Sequence, residues 1–133
     1  MKYFLDTNMI IYFIKGKYPA LLEHLRTIPA QSIVIPAVVL AEIEYGAQKS
    51  MDYQMTISKY RKFTRAFETI PFSGASIQVY GEIRRALEKA GMPIGPNDLM
   101  IAATVLANDG ILVTHNTKEF SRVPGLRLED WIE

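Results

Sequence analysis

The chain contains no cysteine among its 133 residues. This absence excludes disulfide bonds, zinc sites built on thiolates and thiol-based catalysis, and it favours a cytoplasmic protein. No apolar run approaches the roughly 18 residues that a membrane helix needs, and we expect no signal peptide because its pattern is missing at the start. A glycine-rich phosphate loop, a Ser-His-Asp arrangement and a His-x-x-x-His zinc spacing are absent as well. The sequence therefore lacks the familiar motifs of several large enzyme classes.

A strong excess of charge is also missing. The 15 basic and 14 acidic side chains give a net charge of 15 − 14 = +1, unlike a protein that coats nucleic acid without specificity. The basic residues are nevertheless concentrated in two runs, at residues 59–65 and 84–89. Each run has two interpretations, a solvated helix face or a contact surface for phosphates.

The bulk composition predicts one globular domain over residues 1–133. The apolar fraction is 49%, and the length is sufficient for a hydrophobic core without disulfides or metal staples. No internal repeat, low-complexity stretch or long linker divides the chain.

Apolar runs without polar alternation predict short strands, and these alternate with stretches of helical periodicity. The predicted strands are residues 2–5, 32–35, 69–72, 111–113 and 126–128. The predicted helices cover residues 7–15, 52–68, 74–90 and 98–107, and two more open at Pro19 and Pro36. Strands of this kind, alternating with helices, are typical of a parallel sheet that is covered by helices on both faces. The sequence therefore predicts an α/β fold.

Four polar islands interrupt the apolar pattern. They are Asp6 after the first strand, Glu42 on the flank of an apolar helix, Asp98 at the start of another, and Asn116 with Glu119 after the strand at 111–113. Carboxylates avoid such places unless something offsets their desolvation. Because ligand sites in parallel sheets lie beyond the carboxyl ends of the strands, we expect Asp6 and Asn116 at one edge. A magnesium ion held by several islands would explain them together and indicates a metal-dependent hydrolase that cuts RNA.

Each island also has a structural interpretation. Asp6 could simply cap a helix, which stabilises by about 1 kcal/mol. Asp98 could interact with the helix dipole, worth about 0.3–1 kcal/mol. Asn116 and Glu119 could be a loop amide and a surface carboxylate. Glu42 is the hardest to explain structurally, because no basic partner lies near it in the sequence.

The two histidines of the sequence do not indicate a catalytic or metal site. His115 lies in a predicted loop, where a polar role is the simplest interpretation. His24 lies on a predicted surface helix and has no evident partner. Neither residue predicts a site.

The set of motifs resembles PIN-domain proteins and, more narrowly, the VapC toxins of bacterial toxin–antitoxin modules. The resemblance lies in the segments Leu5–Asn8, Ala41–Gly46, Gly95–Ala103, Thr114–Phe120 and Val123–Trp131, in the same order and at similar spacing. It implies a three-layer α/β/α domain with a short central parallel sheet. It also implies a ribonuclease that depends on magnesium or manganese.

The resemblance assigns an acidic quartet to this chain. Three members fall on Asp6, Glu42 and Asp98, with Asp6 and Asp98 as direct metal ligands and Glu42 as a ligand or as the group that orients the attacking water. Many relatives have aspartate at the fourth position, where this chain has Asn116, with Glu119 three residues later. Either residue remains a candidate for the fourth role. Thr114 resembles the family's hydroxyl residue near the site.

The resemblance also implies a substrate and partners. The substrate would be structured RNA, most simply transfer RNA and in some relatives initiator transfer RNA. A VapB-type antitoxin would cover the active site and link the toxin to operator DNA, and the toxin would form a homodimer. Two alternatives stay open: a PIN-type nuclease of RNA processing or DNA structures, and an inactive RNA-binding module.

Overall fold

A computed structural model of the chain describes residues 1–132 and shows strands that alternate with helices. The strands are β1 (Tyr3–Leu5), β2 (Ile33–Pro36), β3 (Glu68–Ile70), β4 (Ile111–Val113) and β5 (Arg127–Glu129). The helices are α1 (Thr7–Lys15), α2 (Pro19–Thr27), α3 (Ala37–Gln48), α4 (Tyr53–Thr64), α5 (Ala75–Lys89), α6 (Pro96–Ala107) and α7 (Thr117–Phe120). A 3-10 turn at Ala30–Ser32 leads into β2.

The five strands form one parallel sheet in the order β3-β2-β1-β4-β5. Strand β1 lies at the centre, and its Leu5 is in register with Val113 of β4. Parallel neighbours need crossover connections, and the helices that make them cover the sheet on both faces. The predicted three-layer α/β/α architecture is confirmed.

The most deeply buried part of the core consists of strands β1, β2 and β4 and of helix α6. Phe4, Leu5, Leu112 and Val113 have at most 1% of their surface exposed, so β1 and β4 are buried on both faces. In α6 the residues from Ile101 to Val105 are all buried. Burial of a large aliphatic or aromatic side chain stabilises by about 1.5–3 kcal/mol. The polar residues at the ends of these elements are therefore placed by the best-packed part of the molecule.

Gly110 allows β4 to lie close to β1. A Cβ atom at this position would overlap the ring of Phe4 and would lie 3.0 Å from the carbonyl oxygen of Lys2. The next residue, Ile111, donates its N–H to that same carbonyl at 3.0 Å. The absence of a side chain therefore helps to set the register that brings the ends of both strands together.

The structure shortens two predicted helices and shifts three predicted strands. Helix α5 covers Ala75–Lys89, one residue less at each end than predicted. Helix α4 ends at Thr64 instead of residue 68, because Glu68 already pairs with Val34 of β2. Strand β3 therefore begins one residue earlier than predicted and ends at Ile70. Strand β1 begins one residue later than predicted, and β2 and β5 are each shifted by one residue toward the C-terminus.

Helix α6 also differs from the prediction at its start. It begins at Pro96 rather than at Asp98, because proline suits the first helical position and the N–H of Leu99 bonds to the carbonyl of Gly95. Asp98 consequently lies within the first turn. Helix α7 has four residues and was not predicted, since so short a segment carries no periodicity. No helix within residues 1–132 is long and apolar enough to cross a membrane.

Candidate active site

Asp6 and Thr114 meet where β1 and β4 end. The backbone N–H of Asp6 donates to the carbonyl of Val113 at 3.0 Å, which extends the pairing of the strands by one residue. The Asp6 carboxylate accepts the Thr7 N–H on Oδ1 at 2.8 Å and the Thr114 hydroxyl on Oδ2 at 2.7 Å. Asp6 is 6% exposed and Thr114 is fully buried. The helix-capping role of Asp6 is thus confirmed, and the same carboxylate lies at the predicted edge of the sheet.

Glu42 reaches the same edge from the middle of α3. Its Oε1 accepts the hydroxyl of Thr7 at 2.5 Å, and its Oε2 accepts the side-chain amide of Asn97 at 3.3 Å. Both of these donors are neutral. Thr7 and Asn97 were not predicted as site residues, although each adjoins a predicted carboxylate.

Asp98 and Glu119 form a second pair of carboxyl groups. They come from the first turns of α6 and α7, and each lies close enough to influence the pKa of the other. Glu119 also accepts the N–H of Gly95 at 3.2 Å and the side-chain amide of Asn116 at 2.9 Å. The backbone N–H of Asn116 in turn donates to the Thr114 hydroxyl at 3.0 Å. Asn116 therefore connects the Asp6 side of the site to the Asp98 side.

The pKa values of three carboxyl groups reflect this crowding. Burial raises the pKa of Asp98 to about 7, aided by the charge and contact of Glu119 and by the charges of Asp6 and Glu42. Burial also raises the pKa of Asp6, against the opposing hydrogen bonds from Thr114 and Thr7. Burial pushes the pKa of Glu119 upward, but hydrogen bonds from Asn116 and Gly95 outweigh it and leave that pKa lowered. The pair of Asp98 and Glu119 thus holds a proton up to near neutral pH.

The donor set fits a hard divalent cation. It consists of carboxylate, hydroxyl and amide oxygens, which Mg²⁺ and Mn²⁺ prefer. A cation would also relieve the repulsion that raises the pKa of Asp98. No three acidic or histidine side chains within residues 1–132 form a ready coordination group. Mg²⁺ usually retains several waters and binds directly to only one or two carboxylates, so the donors present are compatible with it.

The two histidines take no part in this cluster. His115 pairs with Asp130, with 2.8 Å between Nδ1 and Oδ2. The prediction that His24 has no partner is wrong. Its ring stacks on Trp131 with 4.9 Å between the ring centroids and 6° between the ring planes. This contact joins α2 to the end of the chain and has a structural role.

The two basic runs lie on α4 and α5. Arg61 approaches Glu44 at 3.7 Å, and Arg84 contacts Glu88 at 3.3 Å and the hydroxyl of Tyr80 at 2.6 Å. These arginines have the neighbours expected of solvated helix faces. The prediction that one of these basic runs contacts phosphates is not tested by these contacts.

A groove of about 830 Å³ runs beside Glu42. Three of its lining residues belong to the carboxylate cluster: Thr7, Glu42 and Asn97. The remaining wall is mostly apolar and includes Tyr45 and Phe72. A ligand that contacts the carboxylates therefore has space for a further group on the α3 side.

Comparisons with known proteins agree with this geometry. The family profile described as "PIN domain" matches residues 3–126. The chain is 41% identical over 132 residues to Ribonuclease VapC2 of Rickettsia felis and 37% identical over 131 residues to the tRNA(fMet)-specific endonuclease VapC of Shigella flexneri, with 98% of each chain covered in both cases.

Solved structures with the same fold include toxin–antitoxin complexes. VapBC2 from Rickettsia felis, bound to a DNA fragment from its promoter, aligns with a TM-score of 0.92 at 40% identity and covers 98% of this chain and 99% of its own. VapBC-1 from nontypeable Haemophilus influenzae aligns with a TM-score of 0.91 at 34% identity over 100% of both chains.

Proposed function

We propose that this chain, which belongs to the PIN-domain family and within it to the VapC ribonucleases, is a metal-dependent endoribonuclease and the toxin of a toxin–antitoxin module. The observation that carries the proposal is the convergence of four carboxylates at the carboxyl edge of the sheet. Asp6, Glu42, Asp98 and Glu119 come from four different elements, and each lies within one network of hydrogen bonds and charges. Such a concentration of negative charge is unfavourable unless a cation is bound.

Asp6 and Asp98 are the proposed direct ligands of Mg²⁺, with Mn²⁺ as a substitute. When bound, the ion supplies activation of water and neutralises charge on the phosphate and the leaving oxygen. Asp6 is oriented for this role by Thr7 and Thr114, which hold one carboxylate oxygen each. Both Asp6 oxygens keep lone pairs for a further contact.

Glu42 and Glu119 complete the proposed site. The hydroxyl of Thr7 and the amide of Asn97 hold Glu42, which contributes a ligand or accepts a hydrogen bond from the attacking water. Glu119 fills the acidic role at the fourth position, and Asn116 orients it through the 2.9 Å hydrogen bond. The departure from aspartate at position 116 is thus compensated three residues later by Glu119.

Names of relatives support the choice of substrate. The tRNA(fMet)-specific endonucleases of Shigella flexneri and Salmonella typhimurium are 37% and 34% identical to this chain. We therefore propose transfer RNA, and initiator transfer RNA first, as the substrate, with cleavage in the cytoplasm.

The proposed partner is a VapB-type antitoxin. Structures of VapBC complexes, including DNA-bound ones, align with this chain over nearly its full length. The antitoxin would cover the carboxylate cluster and link the toxin to operator DNA. The toxin itself would form a homodimer.

The proposal is tested by incubation of the purified protein with total RNA in Mg²⁺ or in a chelator. We expect a discrete product that requires both the metal and Asp98, so that Asp98→Asn gives none. Glu23→Gln is the matched control, because Glu23 is an exposed carboxylate on α2 that pairs with Arg26. Equal cleavage by Asp98→Asn would contradict the mechanism. Cleavage of flap DNA alone, or RNA binding without cleavage, would favour the alternative nuclease or the inactive binding module.

A further inference from the structure

We infer that the groove beside Glu42 is a subsite for one unpaired base of the RNA, which stacks on Tyr45 with its phosphate beside Lys49. The inference rests on the proposed ribonuclease function and specifies how the same site takes its substrate. The groove is continuous with the carboxylate cluster, since Thr7, Glu42 and Asn97 belong both to the groove and to the cluster. An RNA strand whose phosphate lies at the carboxylates must place a neighbouring nucleotide nearby.

Tyr45 is the first feature that points to a base. It lies three residues after Glu42 on α3, so both side chains project toward one side of the helix. The side chain lines the groove and is 64% exposed, in contrast to the buried core. Aromatic faces of this kind bind successive bases of single-stranded nucleic acids without regard to sequence.

Lys49 supplies the matching charge. Its ammonium group lies 4.5 Å from the centroid of the Tyr45 ring, and it lines the same groove. The cation thus lies over one face of the Tyr45 ring, and the aromatic ring and the charge are presented to the groove together. A nucleotide offers the complementary pair, a flat base and an anionic phosphate, whereas an apolar peptide segment would leave Lys49 without a counter-charge.

Gly46 leaves the wall of the groove without a side chain at one position. It lies inside α3, where glycine is much less favourable than alanine. A Cβ atom at Gly46 would meet nothing within 4 Å, so no contact with the part of the chain that the structure describes requires glycine there. Gly46 lines the groove one helical turn from Glu42. The absence of a side chain leaves room for a ligand to approach the helix backbone.

The first test measures binding of a short oligouridylate that carries one 2-aminopurine, in a chelator so that nothing is cleaved. Stacking on Tyr45 should quench the fluorescence of the 2-aminopurine. We expect Tyr45→Leu to lower the affinity about tenfold and to abolish the quenching, and Tyr45→Phe to retain both. Lys49→Gln should weaken binding and reduce its salt dependence by about the contribution of one phosphate.

The second test uses two glycines as a matched pair. Gly46 and Gly81 both lie inside helices, and a Cβ atom would have open space at either position. Alanine should therefore raise the melting temperature in both variants. Only Gly46→Ala should lower the affinity for the oligouridylate, by several-fold, because its methyl group enters the groove.

Unchanged affinity in both Tyr45→Leu and Gly46→Ala would overturn the inference. So would loss of binding to a VapB-type antitoxin by these variants while their RNA affinity is kept, since the groove would then serve a protein partner. Failure of the wild-type protein to cleave total RNA would instead contradict the ribonuclease function. The binding assay separates the two cases because it does not depend on cleavage.

Discussion

The two halves of the candidate site hold their carboxylates in different ways. In the hydroxyl half, Asp6 and Glu42 accept hydrogen bonds from Thr7 and Thr114, which are neutral donors. In the carboxyl pair, Asp98 and Glu119 face each other, and the pKa of Asp98 rises to about 7. Neutral donors also hold Glu119, from Gly95 and Asn116, but its contact with Asp98 requires in addition a proton or a cation between the two carboxyl groups.

The two halves therefore contribute differently to the site. Hydrogen bonds to a buried carboxylate fix its direction and favour its charged form. Asp6 is accordingly placed before any ion arrives, on strands that belong to the rigid core. The carboxyl pair is crowded in the absence of an ion, so a cation that replaces its proton stabilises the fold as it completes the site.

The largest expected effect comes from Asp98→Asn. Loss of this ligand should lower RNA cleavage at least about 100-fold, which corresponds to about 2.7 kcal/mol of transition-state stabilisation. The same change removes a carboxylate that faces Glu119, so the metal-free protein should become more stable at about pH 8. Cleavage rates and thermal melts of one preparation measure both effects. A variant that loses activity and stability together would indicate misfolding and would contradict the contrast between the halves.

Thr114→Val tests the hydroxyl half, with the opposite sign for stability. The buried hydroxyl donates to Asp6 and accepts from the N–H of Asn116. Its removal leaves two buried polar groups without this partner, and it should lower the free energy of unfolding by about 1–3 kcal/mol. Thr104→Val is the control, because Thr104 is equally buried but its hydroxyl donates to the carbonyl of Met100 within its own helix and not to a carboxylate. Equal losses in the two variants, measured by urea unfolding, would remove any special role of Thr114.

The smallest expected effect is a dependence of stability on pH. Because the pKa of Asp98 is raised from its ordinary value of 3.8 to about 7, the folded protein retains a proton that the unfolded chain releases in this window. The free energy of unfolding of the metal-free protein should therefore fall as the pH rises from about 4 to 7. Solvent screening limits this contribution to the order of 1 kcal/mol. The difference between wild type and Asp98→Asn isolates it from other titrating groups.

Mg²⁺ should oppose the loss of stability that accompanies a rise in pH. It competes with the proton for Asp98, so it should raise the melting temperature more at about pH 8 than at about pH 5.5. In Asp98→Asn the increase should be smaller and nearly independent of pH. Equal increases at both pH values in the wild type would mean that the ion does not displace this proton.

The hydroxyl half was the easier half to predict from the sequence. Asp6 and Thr114 directly follow buried strands, and the parallel order of β1 and β4 brings them together. Glu42 was identified because no basic residue near it could compensate its charge. Even so, the neutral donors that compensate it, Thr7 and Asn97, lie 35 and 55 residues away, and no local pattern reveals such contacts.

The carboxyl pair was harder to predict for physical reasons. Glu119 could also be interpreted as a surface carboxylate, and helix α7 is too short to show a periodicity that would place it at the site. Asp98 was placed at the start of α6, whereas the preceding Pro96 already opens the helix. The facing of Asp98 and Glu119 depends on how two helix ends pack, which composition and spacing do not determine. The resemblance to a family located the fourth position but left the choice between Asn116 and Glu119 open.

The central proposal is one divalent cation at the carboxylate cluster, with Asp6 and Asp98 as its direct ligands and Glu119 beside Asp98. Titration of the protein with Mn²⁺, followed by the electron paramagnetic resonance signal of the free ion, measures this directly. The wild type and the Glu23→Gln control should bind Mn²⁺ equally, and Asp6→Asn, Asp98→Asn and Glu119→Gln should each weaken binding at least about tenfold, or about 1.4 kcal/mol. Affinity that is unchanged in all three variants would contradict a shared metal site.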